Sequence, residues 1–227
     1  MNNRHEELSR NVAIVRERIA HAALQSGRSP DEITLIAVTK TYPASDVATL
    51  IELGLIDFGE NRDAEGSEKS QLLKARWHFQ GQIQSNKIPS IANWANVVHS
   101  LDNPRHSDRL DRTIPSEKTM DVFLQVSLDD APGRGGVSPD QLNQLAIATL
   151  EKPHLRLQGL MAVAPLGVEP ARAFEQLAVI HNGFSTHFPQ APYLSSGMSG
   201  DFETAIIFGA THVRVGTSIL GTRNHPL

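Results

Sequence analysis

The chain has 227 residues, of which 40% are hydrophobic and 20% charged, and its 21 Lys and Arg against 25 Asp and Glu give a formal net charge of −4. This composition supports a sizeable core and excludes disordered and collagen-like classes. The slightly acidic balance argues against nucleic-acid binding, and the lack of cysteine excludes disulfides, thiolate metal sites and cysteine nucleophiles. One domain over residues 1–227 is expected, because α/β barrels reach about 200 to 250 residues as one unit.

The amino-terminal segment predicts a helix rather than a targeting or membrane signal. Its apolar residues recur at helical spacing from Leu8 to Ala23, and Gly27 follows as a stop. Charges are spread through the segment, unlike the apolar stretch of a signal peptide or a membrane span. A cytoplasmic location with no membrane partner is therefore expected.

Eight short apolar runs along the rest of the chain predict strands. They cover residues 33–39, 55–58, 77–81, 96–100, 120–127, 155–164, 193–195 and 212–216. Helical patterns lie between most of them, most clearly at residues 141–150 and 171–184. Alternating strands and helices imply a parallel sheet, and eight such units predict an α/β fold of the closed (β/α)8 TIM-barrel type.

Polar residues follow several predicted strands, at the end where a barrel carries its chemistry. Lys40 ends the first strand, Asn61 follows the second, and His78 and Arg214 are expected on the same rim. A lysine that closes an apolar strand is most often a surface residue whose stem packs on the protein. At the mouth of a dry pocket, however, desolvation lowers a lysine pKa, and the free amine forms Schiff bases with carbonyls. Schiff-base chemistry is the leading hypothesis.

Two segments of small residues follow the last two predicted strands. Residues 195–201 read SSGMSGD directly before a helical pattern, and residues 216–218 read GTS. Backbone N–H groups, close approach at glycine and a hydroxyl are what a phosphate requires, and barrels place phosphate sites at these loops. The alternative is a plain helix start with Ser199 or Asp201 as its N-cap.

Other motifs carry little information. The segment PGRGG at residues 132–136 resembles an anion loop but has no recognised spacing, so a surface turn is preferred. The ten histidines show no zinc spacing with a nearby glutamate, and no metal is assigned. The sequence contains no GxSxG, P-loop or GxGxxG element.

Six segments match one known family in order along the chain. They are AVTKTYP (37–43), DFGENR (57–62), RWHFQGQIQSNK (76–87), LQGLMAVAP (157–165), LSSGMSGDFETAI (194–206) and HVRVGTSILGTR (212–223). On these segments the chain resembles the pyridoxal 5′-phosphate (PLP) homeostasis proteins, also described as alanine-racemase N-terminal-domain-like or proline-synthetase co-transcribed proteins.

The resemblance implies a fold-type III PLP-binding barrel with an extra N-terminal helix and no C-terminal β domain. It further implies a carrier, buffer or regulator of intracellular PLP and vitamin B6, with PLP-dependent apo-enzymes as partners. A monomer or weak dimer is expected. The cofactor-binding set is expected to comprise Lys40, Asn61, His78, Met198, Ser199, Arg214, Gly216 and Thr217.

Individual roles follow from the same resemblance. Lys40 would carry PLP as a covalent aldimine, Asn61 would lie by the ring and Arg214 would face the pyridine nitrogen. Ser199 and residues 216–217 would hold the phosphate.

Two departures from the family pattern stand out. Ala131 and Arg134 replace a frequent glutamate and lysine after the fifth strand, so a second, lysine-based PLP contact is not inferred there. Ser196 replaces a frequent methionine.

Three functions remain open at this point, and the first is a PLP-binding protein without robust catalysis and with no catalytic residue. An arginine stays cationic and cannot keep the ring nitrogen protonated, which weakens the electron sink. The chain also ends at Leu227, too soon after its last strand for the β domain that supplies a second acid or base in fold-type III racemases. The alternatives are a PLP-dependent racemase or eliminase that uses His78 or Tyr42, and a PLP-independent Schiff-base aldolase.

Overall fold

The computed structural model describes residues 3–129, 131 and 135–222. Within them, eight parallel strands close into a barrel in sequence order, which confirms the predicted fold. The strands are β1 Thr34–Val38, β2 Asp57–Glu60, β3 Arg76–Phe79, β4 Val97–Leu101, β5 Met120–Gln125, β6 Leu155–Met161, β7 Tyr193–Ser195 and β8 His212–Val215. Pairing of β1 with β8, from Thr34 opposite His212 to Ala37 opposite Val215, completes the circle.

Helices surround the sheet, and one precedes it, as expected. They are α1 Asn3–Gln25, α2 Ala44–Glu52, α3 Asp63–Leu72, α4 Ile88–Trp94, α5 Pro104–Thr113, α6 Leu142–Leu150, α7 Pro170–His187, α8 Phe202–Ile207 and α9 Thr217–Leu220. The extra helix α1 buries Leu8, Val12 and Val15, whose spacing places them on one face. Its Asn11 donates from Nδ2 to the carbonyl of Ile219 at 2.9 Å. This contact ties α1 to the end of the chain that follows β8.

Strand boundaries differ from the predicted ones in two situations. Either a polar residue is buried within the sheet, or an apolar run continues past the last paired residue. The second strand extends to Glu60, two residues past its apolar run. The Glu60 carboxylate can be buried there because Lys69 on α3 forms an ion pair with it. The fifth ends at Gln125, since Val126 pairs with Val137 in an isolated bridge instead.

The large apolar core lies between the sheet and the helices, and the barrel interior is packed differently. A separate small cluster of Val97, Phe123 and Met161 occupies the interior together with polar side chains. Among the described residues, no helix is long and apolar enough to cross a membrane, and no group of three or more potential ligands could hold a metal ion. The PGR part of the predicted surface turn, residues 132–134, lies outside the described residues, and so does the Arg134 departure.

Candidate functional site

A cavity of about 300 Å³ opens at the carboxyl end of the barrel. It brings together seven of the eight residues in the expected cofactor-binding set: Lys40, Asn61, Met198, Ser199, Arg214, Gly216 and Thr217. The remaining described lining residues are Val38, Gln80, Met161, Val163 and Gly200. One cavity therefore contains a lysine at a strand end, both small-residue segments and an arginine.

Lys40 lies in a tight turn just after β1. Its neighbour Thr41 has a φ of 69°, a left-handed conformation that is uncommon for a residue with a Cβ and costs about 1–3 kcal/mol. The Thr41 N–H donates to Glu65 Oε2 at 2.5 Å, which holds the turn against α3. Lys40 itself is exposed. The prediction that this lysine is shielded from water is therefore wrong, whereas its position at the cavity is as expected.

A buried ionic cluster fixes the residue before Lys40. Lys69 Nζ, on α3, donates to the backbone carbonyl of Thr39 at 2.8 Å and to Glu60 Oε1 at 2.6 Å. The Thr39 hydroxyl donates to the same carboxylate oxygen at 2.6 Å. Burial raises the pKa of Glu60, against the opposing effect of Lys69 and Thr39. We call Thr39, Glu60, Glu65 and Lys69 the turn cluster.

Ser199 and the start of α9 form the opposite wall of the cavity. Ser199 Oγ accepts hydrogen bonds from the backbone N–H of Gly216 at 3.1 Å and of Ser218 at 3.3 Å. The Ser218 hydroxyl donates back to the Ser199 carbonyl at 3.3 Å. Two backbone N–H groups thus converge on the Ser199 hydroxyl, and we call Ser199, Gly216 and Ser218 the anion wall.

The loop after β7 requires a glycine at residue 197. Gly197 has a φ of 89°, and a Cβ there would lie 2.7 Å from the Ala205 Cβ. Its carbonyl accepts from the Arg214 N–H at 3.0 Å. Asp201 precedes α8 but makes no side-chain cap, because its Oδ1 accepts from the Met198 N–H at 2.6 Å. Asp201 therefore stands at the N-cap position, as the alternative expected, but its carboxylate holds the loop before α8 and does not cap the helix.

Arg214 reaches the cavity from β8 and is only 5% exposed. Its Nη1 donates to Ser195 Oγ at 2.8 Å and its Nη2 donates to the Ala162 carbonyl at 3.0 Å. Burial lowers the pKa of Arg214 to about 10, so the guanidinium remains cationic at neutral pH. Two fixed bonds hold this charge at the base of the cavity.

His78 and Tyr42, the two candidate acid or base residues, do not line the cavity. His78 is 1% exposed inside the barrel, where it contacts Asp57 and His99. The Tyr42 hydroxyl donates to the Gly221 carbonyl at 2.7 Å. The structure therefore places His78 beneath the site and Tyr42 beside it.

Sequence reasoning missed Gln80, which lies immediately after β3. Its Nε2 is buried and has no hydrogen-bond partner among the described residues, although the side chain lines the cavity. An added Cβ on Gly59 would come within 2.7 Å of this atom, so the glycine makes room for the amide. The available signal was the position of Gln80 directly after a strand, within the segment RWHFQGQ.

The fold and site define a barrel of the alanine racemase type. The family model "Alanine racemase, N-terminal domain" matches residues 6–224. Among solved structures, PipY of Synechococcus elongatus, solved with PLP bound, superposes with a TM-score of 0.78 at 32% identity, covering 91% of this chain and 100% of that one.

Curated relatives narrow the class further. The pyridoxal phosphate homeostasis protein of Escherichia coli K12 is 41% identical over 96% of this chain and 98% of its own length. That of Mycobacterium tuberculosis H37Rv is 40% identical over 97% of this chain and 95% of its own length. The chain belongs to the pyridoxal phosphate homeostasis protein family.

Proposed function

We propose that this protein binds PLP, holds it as a Schiff base on Lys40, and acts in PLP and vitamin B6 homeostasis as a carrier, buffer or regulator. The observation that carries the proposal is that one cavity is lined by Lys40 and by Ser199, Gly216 and Thr217 of the two small-residue segments. Condensation of an unprotonated Nζ amine with the aldehyde of PLP releases one water and leaves the phosphate free to bind elsewhere. PipY, solved with PLP bound, supports the same ligand.

The donors of the cavity fit the polar groups of PLP. In the anion wall, the backbone N–H groups of Gly216 and Ser218 hold Ser199 Oγ, which leaves the Ser199 hydroxyl proton to donate to a phosphate oxygen. Arg214 provides a buried cation that can only donate, which suits an unprotonated ring nitrogen. Gln80 Nε2 is an additional buried donor without a partner among the described residues. A ligand with several acceptors is what this set of donors requires.

Weak catalysis follows from the same residues. When bound, PLP supplies an electron sink, and enzymes that use it fully place a carboxylate at the ring nitrogen to keep it protonated. Arg214 cannot do so. Among the described lining residues, only Lys40 and Arg214 are titratable, so no second acid or base lies in the cavity. The racemase or eliminase alternative would need His78 or Tyr42, and neither lines the cavity.

The site assignment is tested with Lys40→Ala and a matched control, Lys87→Ala. Lys87 is a half-exposed lysine on a loop after β3 and lies outside the cavity lining. We expect Lys40→Ala to lose the visible absorbance of the protein-bound Schiff base and to change the free energy of unfolding by less than about 0.5 kcal/mol, because the residue is exposed. Lys87→Ala should retain the spectrum. An undiminished spectrum in Lys40→Ala would refute the assignment.

The lack of robust turnover is tested by exchange of the amino-acid Cα–H in deuterated buffer. General acid–base assistance accelerates such steps by about 10²- to 10⁴-fold, and it requires a positioned group. We expect exchange with the wild-type protein to stay close to that with free PLP. Rapid, stereospecific exchange that disappears in a His78→Gln or Tyr42→Phe variant would favour the enzyme alternative. Apo-enzyme partners, the monomer or weak dimer and a cytoplasmic location stay predictions.

A further inference from the structure

The barrel interior holds a run of polar side chains that no part of the proposed PLP site explains. Barrels of this type normally fill their interior with layers of branched apolar side chains. Buried polar groups are costly unless every hydrogen bond is made, so their retention here requires a reason. We call the run the interior relay, and it consists of Asp57, His78, His99, Ser195 and Arg214, each at most 6% exposed.

Four close contacts join the interior relay end to end. His78 Nε2 lies 2.8 Å from Asp57 Oδ1, and His78 Nδ1 lies 2.8 Å from His99 Nε2. His99 Nδ1 lies 2.9 Å from Ser195 Oγ, and that oxygen accepts from Arg214 Nη1 at 2.8 Å. Because His99 is on β4 and Ser195 is on β7, the relay crosses the barrel axis. It connects the amino-terminal end of β2 with the cavity.

For neutral rings, the chemistry of the two ends fixes the direction of every hydrogen bond between them. An ionised Asp57 can only accept, so His78 donates from Nε2 and accepts at Nδ1. His99 must then donate from Nε2 and accept at Nδ1, which requires the Ser195 hydroxyl to donate. Arg214 can only donate, and Ser195 Oγ accepts its proton through a lone pair. With both histidines as neutral Nε2–H tautomers, every relay proton has an acceptor. With a further proton on either ring, Ser195 Oγ would accept from both His99 and Arg214, and its own hydroxyl proton would have no acceptor in the relay.

Burial supports this protonation state. Desolvation lowers the pKa of His78, against the opposing effect of Asp57, and it lowers the pKa of His99 further below its usual range. A second proton on either ring would place a positive charge in the buried relay near the Arg214 cation and would leave the Ser195 hydroxyl proton without an acceptor there. Neutral histidines are therefore favoured both by desolvation and by the count of donors and acceptors.

We propose that Asp57, His78 and His99 are positioning residues for Arg214. They direct the Ser195 hydroxyl proton toward His99, which turns the lone pairs of Ser195 Oγ toward the guanidinium. With the second guanidinium bond to a backbone carbonyl, this fixes the plane of Arg214 at the base of the cavity. The inference rests on the proposed function in one respect, because it takes Arg214 as the group that faces the ring nitrogen of PLP.

Two substitutions of one residue separate positioning from simple packing. In His99→Gln, the amide offers an N–H donor toward His78 and a carbonyl acceptor toward Ser195, which reproduces the donor and acceptor order of the neutral ring. In His99→Phe, the ring keeps the stacking on Phe123, whose centroid lies 4.6 Å away, and loses both nitrogens. A packing role predicts that the phenylalanine variant is the better tolerated of the two. The relay predicts the reverse.

The first readout is nitrogen-15 NMR of the full-length protein labelled at histidine and arginine, without PLP. We expect His78 and His99 to be neutral Nε2–H tautomers in the wild type. The Nη–H signals of Arg214 should be separate in the wild type and in His99→Gln, and averaged by rotation in His99→Phe. An Nδ1–H tautomer or a protonated ring at either histidine would overturn the proposal, as would separate Arg214 signals in His99→Phe.

The second readout is the dissociation constant for PLP of the same three proteins. We expect His99→Phe to bind PLP about tenfold more weakly, the equivalent of one hydrogen bond, and His99→Gln to bind within about twofold of the wild type. Equal affinity of His99→Phe and the wild type would overturn the proposal. If the wild type itself does not bind PLP, the proposed function fails, and the tautomers and the Arg214 signals decide the relay by themselves.

Discussion

The two sides of the cavity are built by different means. On the Lys40 side, the turn cluster uses buried charges, a lysine ammonium against a carboxylate that is 0% exposed, to hold a left-handed turn. On the other side, the anion wall uses backbone N–H groups and serine hydroxyls, with Gly197 allowing close packing behind it. The first side fixes the backbone on both sides of one lysine, and the second presents a set of donors.

This difference reflects what each side is proposed to hold. A covalent attachment through one amine needs that amine at one place, so the backbone on both sides of Lys40 is fixed by long-range bonds to α3. A phosphate spreads its charge over several oxygens and is bound by several donors that each contribute modestly. Damage to the Lys40 side should therefore affect folding most, and damage to the anion wall should affect binding of phosphorylated ligands most.

The largest expected effect is on the Lys40 side, in Lys69→Met. The substitution leaves the Glu60 carboxylate buried without its cation, and breaking a buried ion pair in this way costs about 3–5 kcal/mol. The free energy of unfolding from urea titration measures the loss. The double variant Glu60→Gln, Lys69→Met is the control and should recover at least half of it. A loss below about 1 kcal/mol in the single variant would show that the turn does not depend on the pair.

A smaller effect is expected on the anion wall, in Ser199→Ala. We expect PLP retention to fall by about 1.5 to 3 kcal/mol, the range for a hydrogen bond to a charged group. Equilibrium dialysis measures the affinity of the variant for PLP and for pyridoxal, which lacks the phosphate. Pyridoxal does not use the anion wall, so its affinity should be unaffected. Ser116→Ala, at an exposed position, is the control. An equal loss for both ligands would contradict the assignment of the anion wall.

The smallest effect concerns the buried histidines below the cavity. Burial lowers the pKa of His78 and His99, so the unfolded chain binds protons that the folded protein excludes. The contribution of these two histidines to the free energy of unfolding is fully present above the unfolded pKa of about 6.5. It is lost as the pH falls from there through the folded pKa values, by up to about 1.4 kcal/mol per pH unit for each ring. Urea midpoints from pH 8 to 5 should therefore fall less steeply in His99→Gln.

Comparison with His99→Gln isolates the histidine from other groups that titrate in this range. Glu60 has a pKa raised by burial and contributes in the opposite direction, but it does so equally in both proteins. If the urea midpoints of the wild type and of His99→Gln fall equally with decreasing pH, the fold does not hold the His99 ring neutral.

The sequence was sufficient for the barrel and for most of the cavity lining. Alternating apolar runs and helical patterns predict eight strands, and polar residues after those runs fall at one rim because parallel strands share a carboxyl end. Lys40 and Arg214 were predicted at this rim by that logic, and both line the cavity.

Long-range polar pairing was not predictable in the same way. Lys69 reads as an ordinary helix lysine, and only the fold shows that it is 6% exposed and bonded to Glu60. His78 was expected at the rim, but the strand direction places its ring inside the barrel, in contact with His99. Such contacts join residues far apart in sequence, so spacing along one strand or helix contains no signal for them.

The central claim, that Lys40 carries PLP, is tested most directly by borohydride reduction of the wild-type protein with PLP, followed by mass mapping of its peptides. Reduction converts a Schiff base into a stable amine and marks the lysine that formed it. We predict that the added mass of one reduced pyridoxyl phosphate lies on the peptide containing Lys40. Labelling concentrated on another lysine, or no labelling of Lys40 at saturating PLP, would contradict the account.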